Sequence, residues 1–410
     1  MSLSTEQALD ATVPDNVKVI ASDEEAITAA LEYAELLQPE AIGRDRDALP
    51  PVRELRELAR TGLLGSRVPP AHGGAGISSA TVAEVFRVIA VADPAIAQVP
   101  QNHFAFLELV VRSGTREQKD LFLAQFLAGA RLGNALAERG GKTHRDFTTH
   151  LTPQADGSYR LNGRKYYATG ALTAQWIPAF ALDERSEVAV AYVPRDAPGV
   201  RVDQDWTAFG QRATISGSAW FEDVHVPGAW IIRRALAGEH PNTLAAFGQL
   251  MHVAIDVGIA RGALADGAVF LRERARPWWE ADVERAADDP HLLRLLGELD
   301  THVRAAEALL ADAARALDVA DAAPDDIDAI TEARLSVAAA KAFAGEVALE
   351  VATAIFDVSG ASAADARYGL DRHWRNARTH TLHDPARSKH VHLGRFLVDA
   401  VAPPADHTLL

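Results

Sequence analysis

The sequence predicts an α+β protein whose helices and strands lie in separate blocks. Three observations carry this. The first third repeats apolar residues at helical spacing. The middle carries turn dipeptides between short alternating runs. After Pro241 the helical period returns and stays. These changes of texture divide the chain into a helical domain over 1–131, a β-domain over 132–238 and a C-terminal helical bundle over 239–410.

In the first block, Ser22-Asp23-Glu24-Glu25 has the form of a helix start with acidic residues in its first turn, and the apolar run continues through Ile27, Leu31, Tyr33 and Leu36/Leu37. Pro51 to Leu64 is a second amphipathic stretch. The segment VPPAHGGAGIS follows as a loop, and then Ala80–Ala92 and Asn102–Val111 read as helix. Thr115 with Gln118 three residues later matches a capping box. In the middle block, Asp156-Gly157 and Asn162-Gly163 are hairpin-type dipeptides. Val188–Val193 is a short apolar strand, and Ala219–Val226 alternates with period two, so an antiparallel β-domain is expected. In the last block, Leu250–Leu271 is rich in Ala and Gly, Pro290 opens a helix, a long helix runs from the acidic break at 322–328 to about Phe356, and a final one spans Asp371 to His380.

Composition narrows the function. The chain has 410 residues, a formal net charge of −15 and no cysteine. Disulfides, thiolate catalysis, iron–sulfur clusters and Cys-based zinc sites are excluded, and a cytoplasmic location is expected. So acidic a surface opposes nucleic acid and anionic lipid. No apolar run approaches the ~20 residues needed to span a bilayer. The start MSLSTEQALDATVPDN lacks a basic n-region leading into an apolar h-region, so no secretory signal is expected. No GxGxxG follows a strand, and there is no Walker loop and no GxSxG elbow.

Chemistry concentrates in RYGLDRHWRNARTHTLHDP, 367–385. Together with Arg387 and Lys389, this forms a basic island of Arg367, Arg372, Arg375 and Arg378 in an acidic protein. Three readings compete. His380, His383 and Asp384 could ligate a metal, although their spacing is common by chance and no HExxH pattern supports it. The segment could be a structural network. The leading reading is an anion site with acid/base histidines, since Arg suits phosphate and His moves protons near neutral pH. Taken alone, His103 reads more readily as a core histidine, and Trp206 equally well as β-domain core.

These residues resemble a family. The order of blocks, the HGGAGI loop and KYYATGA are similar to the acyl-CoA dehydrogenase superfamily across nearly the whole chain. GNALAE (133–138), NGRKYYATGA (162–171), DWTAFGQRATISGS (205–218), ARPW (275–278) and above all DRHWRNARTHTLHDP (371–385) resemble its dibenzothiophene monooxygenase and sulfur-acquisition branch. The resemblance implies a helical N-terminal domain, a β-barrel or sandwich and a C-terminal four-helix bundle, assembled as a homotetramer. It implies reduced FMN, with FAD as the alternative, supplied by a separate NAD(P)H:flavin reductase. O2 would add to the ring to give a C4a-hydroperoxyflavin that oxygenates a small organosulfur substrate. Asn134, Leu136 and Thr169 would touch the ring, with Trp206 and Ser216 toward the flavin's far side or phosphate end and His380 also beside the cofactor. Arg276 would reach a flavin phosphate across a subunit boundary. His383 and His103 would stand at the reactive face as catalytic imidazoles, and no metal is expected. Gly360-Ala361-Ser362 lacks the arginine that dibenzothiophene monooxygenase carries there, so one phosphate contact is expected to be missing.

The rival readings are an acyl-CoA dehydrogenase with Asp384 as base, an amine N-oxygenase and a non-catalytic flavin carrier. A dehydrogenase needs a carboxylate at the α-proton. This chain has His383-Asp384-Pro385 and Gln249 at the two family positions for it, and Asp is a methylene shorter than Glu.

Overall fold

The computed structural model describes residues 12–142, 146–233 and 242–404. The first eleven residues, part of the stretch judged for a signal, and the Pro241 boundary lie outside them.

Six helices form the first block: α1 (Asp23–Leu37), α2 (Ala41–Asp47), α3 (Val52–Arg60), α4 (Ser79–Ala92), α5 (Pro94–Ser113) and α6 (Arg116–Leu127). Their starts follow the capping rules. The Ser22 side chain accepts from the Glu25 N–H, and the Thr115–Gln118 box is made in both directions. Helix α5 begins eight residues before the expected Asn102. Asp93 caps it through the N–H groups of Ala95 and Ile96, and Pro94 takes the first position, where its missing N–H costs nothing. This early half lies beside the candidate site.

The middle block is a seven-stranded sheet of β1 (His150–Pro153), β2 (Tyr159–Lys165), β3 (Trp176–Leu182), β4 (Val188–Pro194), β5 (Val200–Val202), β6 (Ala219–Val226) and β7 (Ile231–Arg233), in the order β5-β6-β2-β1-β3-β4-β7. Every pairing is antiparallel except β1 with β3, which meet in parallel at His150 and Leu182. Asp156-Gly157 turns β1 into β2 as expected. Asn162-Gly163 does not turn the chain. It lies inside β2 as an irregularity where the register with β6 skips. Gly163 has φ +157°, and a Cβ there would meet Thr149 Oγ1 at 2.2 Å, so close backbone approach selects this glycine. The strands sort their side chains by period two. Ile177, Ala179 and Ala181 of β3 join Ala189, Ala191 and Val193 of β4 on one face. Trp176, Phe180, Val190 and Tyr192 face α5 and α6 through Phe106, Phe122 and Phe126.

The last block comprises α7 (Leu244–Glu273), α8 (Pro290–Ala322) and α9 (Ile327–Ser359), with the shorter α10 (Asp371–His380) and α11 (Ala386–Asp399) packed against α9. Helix α7 is buried on nearly every side, so its sequence reads apolar all round. Its Ala/Gly richness has a steric reason: a Cβ on Gly258 or Gly262 would lie 2.7 or 2.8 Å from the α4 carbonyls of Arg87 and Val91. One apolar core runs from α1, α3, α4 and α5 through α7–α9. Among the described residues no helix is long and apolar enough to cross a membrane.

Candidate active site

Residues 132–135 run beside β3, with bridges from Leu132 to Trp176 and from Ala135 to Ala179. This holds Asn134 against the turn after β2. Its N–H donates to Thr169 O at 3.0 Å, and its Nδ2 donates to Tyr167 O at 3.2 Å. Asn134 Oδ1 is buried and has no partner among the described residues. From Thr169 a row of hydroxyls continues: Thr169 Oγ1 to Ser216 Oγ at 2.7 Å, Ser216 Oγ to Thr214 Oγ1 at 2.7 Å, and Thr214 Oγ1 to Gln211 O at 2.8 Å. Trp206 Nε1 donates to the same carbonyl at 3.0 Å.

The loop is fastened to α10. Gln211 N–H donates to Asn376 Oδ1 at 2.6 Å. A Cβ on Gly210 would fall 1.9 Å from Arg375 O, so only glycine lets the loop sit so close. Gln211 and Ile215 have φ of +51° and +46°, costly for a β-branched residue and characteristic of functional loops. Both ends of the Gln211 amide and Thr379 Oγ1 are buried without partners among the described residues. Unpaired polar atoms at this depth each cost about 1–3 kcal/mol unless a ligand satisfies them. Arg131 clamps the turn from behind, donating to Gly170 O and to Thr173 O and Oγ1. Burial lowers its pKa to about 10, and no carboxylate pairs with it among the described residues.

Helix α5 joins this loop to a second cluster. Val99 lies against Gly170, and the neighbouring Gln98 places Oε1 3.1 Å from His380 Nε2. His380 Nδ1 donates to Asp256 Oδ1, whose other oxygen accepts from Lys341 Nζ at 2.8 Å. His252 Nδ1 lies 3.0 Å from His380 Nε2. The His252 ring faces His383 with centroids 4.2 Å apart. His383 Nδ1 is 3.3 Å from Asp384 Oδ1, and Asp384 Oδ2 pairs with Lys389 Nζ at 2.8 Å. Asp256, His252, His380 and Lys341 are buried, whereas the His383 side chain is 38% exposed. Burial works against the Asp384 charge, but His383, Lys341 and Lys389 outweigh it and hold the carboxyl far below the usual range.

The expected residues therefore fall into two joined groups, Asn134, Thr169, Trp206 and Ser216 in one and His380 and His383 in the other. Three expectations are corrected. His103 is fully buried, with Nε2 2.8 Å from Leu64 O and Nδ1 accepting from Leu132 N–H. Both nitrogens are spent on backbone, so it holds the core together rather than serving a reacting face. His380 likewise has its nitrogens engaged by Asp256 and His252, and so has none left for a cofactor. The basic island is largely neutralised: Arg372 pairs with Asp266, Arg375 with Asp45 and Asp371, Arg367 with Asp365, and Lys389 with Asp384. The structural reading holds for those four cations, and the anion site does not form from them.

Leu136 packs on the helix-facing side of the sheet, and its carbonyl accepts from Lys165 Nζ at 3.1 Å. Arg276 is exposed beside Trp278 and Trp279, which are 63% and 77% exposed. His252, Asp256, Lys341 and Gln98 escaped the sequence reading. The available signal was His252 and Asp256 four residues apart within an otherwise apolar stretch of α7.

Comparison with known proteins gives the family and the fold. The models of the acyl-CoA dehydrogenase N-terminal, middle and C-terminal domains match residues 24–130, 134–224 and 250–387. The chain belongs to the acyl-CoA dehydrogenase family. Within that family it is 32% identical to dibenzothiophene monooxygenase of Rhodococcus erythropolis over 402 residues, covering 93% of this chain and 95% of the relative. It is 31% identical to a probable FMNH2-dependent monooxygenase, SfnC, of Pseudomonas putida, covering 92% and 96%. FMN-bound TdsC from Paenibacillus sp. A11-2 superposes with a TM-score of 0.88 at 30% identity, covering 93% of this chain and 98% of that one.

Proposed function

We propose that this member of the acyl-CoA dehydrogenase family is a flavin-dependent monooxygenase that uses reduced FMN and O2 to oxygenate a small organosulfur compound. A separate NAD(P)H-dependent reductase supplies the reduced flavin. The observation that carries the reading is the proton-handling group: an exposed imidazole, His383, backed by Asp384, where a dehydrogenase would need a free carboxylate. Asp384 is occupied by Lys389 and His383. Gln249 is a buried amide and cannot take a proton from a substrate carbon.

The residues fit a flavin. Asn134 Oδ1, the Gln211 amide and Thr379 Oγ1 are buried groups awaiting partners, and a flavin ring system offers both donors and acceptors along its edge. When bound, the flavin supplies the electrons that activate O2. Asn134 and Thr169 orient it through one edge, the Ser216–Thr214 row fixes the Thr169 hydroxyl, and His383 moves a proton at its ring nitrogen as oxygen is transferred. The packed α5–α7 side keeps bulk water from that nitrogen's inner face. Assembly as a cytoplasmic homotetramer belongs to the same reading. Leu397 and Val398 on α11 are 84% and 80% exposed, and Arg276-Pro277-Trp278 projects from the chain, as surfaces covered by another copy would.

The test is titration with FMN and FAD in both redox states, followed by reductase-coupled turnover of thiophenes, sulfones, sulfinates and amines. Oxygenated sulfur product with O2 consumption is expected. Flavin bleaching by an acyl-CoA thioester without O2, or oxidation of amines alone, would overturn the reading.

A further inference from the structure

Lys341, Asp256, His380 and His252 are each 3% exposed or less. Polar groups that deep are kept only when their hydrogen bonds are made. The order of donors is set from one end. Lys341 has only N–H to give, so Asp256 accepts from it, and the second carboxylate oxygen accepts from His380 Nδ1. Burial is the largest influence on His380 and keeps the ring below its ordinary titration range, although Asp256 pulls the other way. Lys341 already supplies the cation that balances Asp256, so His380 is assigned as the neutral ring, with its proton on Nδ1 toward Asp256 and Nε2 as an acceptor. His252 Nδ1, 3.0 Å away, is the donor to it, which leaves His252 Nε2 as a lone pair with no partner among the described residues. Gln98 Oε1, 3.1 Å from His380 Nε2, has no role in that state. It becomes the acceptor once His380 Nε2 carries a proton.

We propose that Asp256, His380 and His252 form a proton relay ending at His252, whose ring faces that of His383, so that His252, not His103, is the second proton-handling imidazole beside His383. A proton bound at His252 Nε2 releases the one on Nδ1 to His380 Nε2. One N–H bond breaks and two form for the one proton taken up, and His252 ends neutral in its other tautomer. The charge rests on His380 between the Asp256 carboxylate and Gln98 Oε1, and the reverse sequence returns the proton. The groups facing His252 agree with this division. Burial first, then the neighbouring His383, His380 and Lys341, hold His252 well below its usual range, with Asp384 opposing. Its use in oxygen transfer rests on the monooxygenase reading; its hydrogen-bond order does not.

The test is imidazole ¹⁵N NMR of the flavin-free protein at neutral pH. Wild type is expected to show the Nδ1–H tautomer at both His252 and His380. Lys341→Met leaves Asp256 without its counter-cation, so His380 should charge and His252 should shift to Nε2–H. Asp256→Asn should instead release His380 from the Nδ1–H form. With FMN and reductase, His252→Phe keeps a flat ring and should hold flavin affinity within about twofold. It should lower product per O2 about tenfold and flatten the pH profile of that ratio. A wild-type His252 found as Nε2–H, a Lys341→Met spectrum identical to wild type, or normal coupling in His252→Phe would each overturn the relay. Wild type and Lys341→Met decide the matter should Asp256→Asn fail to fold. Tautomers as expected in a protein that oxygenates no sulfur compound would leave the relay standing and remove the monooxygenase reading.

Discussion

The rings of His252 and His383 face each other with centroids 4.2 Å apart and planes 36° from parallel. One belongs to the buried helix α7 and the other to the exposed turn after α10, so an interior group and a solvent-facing group share one contact. Two imidazoles this close do not both hold a charge readily, since like charges at such a distance disfavour each other.

His383→Ala is therefore expected to bind FMN within about threefold of wild type, because Asn134 and Thr169 are untouched. The oxygen-transfer step should slow on the order of 10²-fold, the range for loss of an acid–base group. Product formed per O2 consumed, with hydrogen peroxide as the balance, measures it.

Thr169→Val removes the 2.7 Å hydrogen bond to Ser216 while keeping the side-chain volume. Flavin affinity should fall roughly tenfold, the equivalent of about 1.4 kcal/mol. Fluorescence titration with FMN reads this directly.

His103 makes stability depend on pH. Burial pushes its pKa from 6.5 down to about 4, so between those values the unfolded chain binds the proton and the folded chain does not. The native state is thus favoured by this ring above its ordinary value, and the contribution drains away as pH drops toward 4. At about 1.36 kcal/mol per unit, it is worth about 3 kcal/mol. Urea unfolding between pH 7 and 4 should show that slope, and His103→Gln should flatten it while lowering stability at pH 7.

Lys165 is fully buried and pairs with Glu138 at 2.8 Å. Burial lowers the lysine to about 8. Glu138 also accepts from Thr148 and Thr149 and so ties the start of β1 to the GNALAE segment. Lys165→Met should destabilise the fold by about 3–5 kcal/mol, since it strands a buried carboxylate. The unfolding midpoint checks it.

An acyl-CoA thioester under anaerobic conditions should leave FMN bound to this protein unbleached. Asp384 is held by His383 and Lys389, far below the carboxylate range, and is a poor base. Absorbance at the flavin's visible band is the measurement.

The block order, the helix starts at Ser22 and Thr115 and the strand Ala219–Val226 were legible because each rests on local chemistry: a cap, a capping box, a period of two. Asn162-Gly163 misled for the same reason. As a dipeptide it suits a hairpin, but Thr149, just before the neighbouring strand, decides its place, and that contact is not local. His103 and His252 are both single histidines among apolar neighbours, and only Asp256, four residues from His252, sets their helices apart. The partners that separate their roles, Leu132 and Leu64 for one and His380 for the other, come from distant parts of the chain. The basic island misled through its density, because its counter-charges Asp45 and Asp266 arrive from elsewhere in the fold.

Arg131 gives the site a fixed part to set against its moving protons. A guanidinium with a pKa near 10 keeps its charge throughout any pH at which histidines change theirs. The turn it grips through Gly170 and Thr173 therefore does not respond when the imidazoles across α5 gain or lose a proton. On the proposed reading, acidity changes the proton transfers without loosening the turn, and in a molecule of net charge −15 a flavin there would meet a cation behind it.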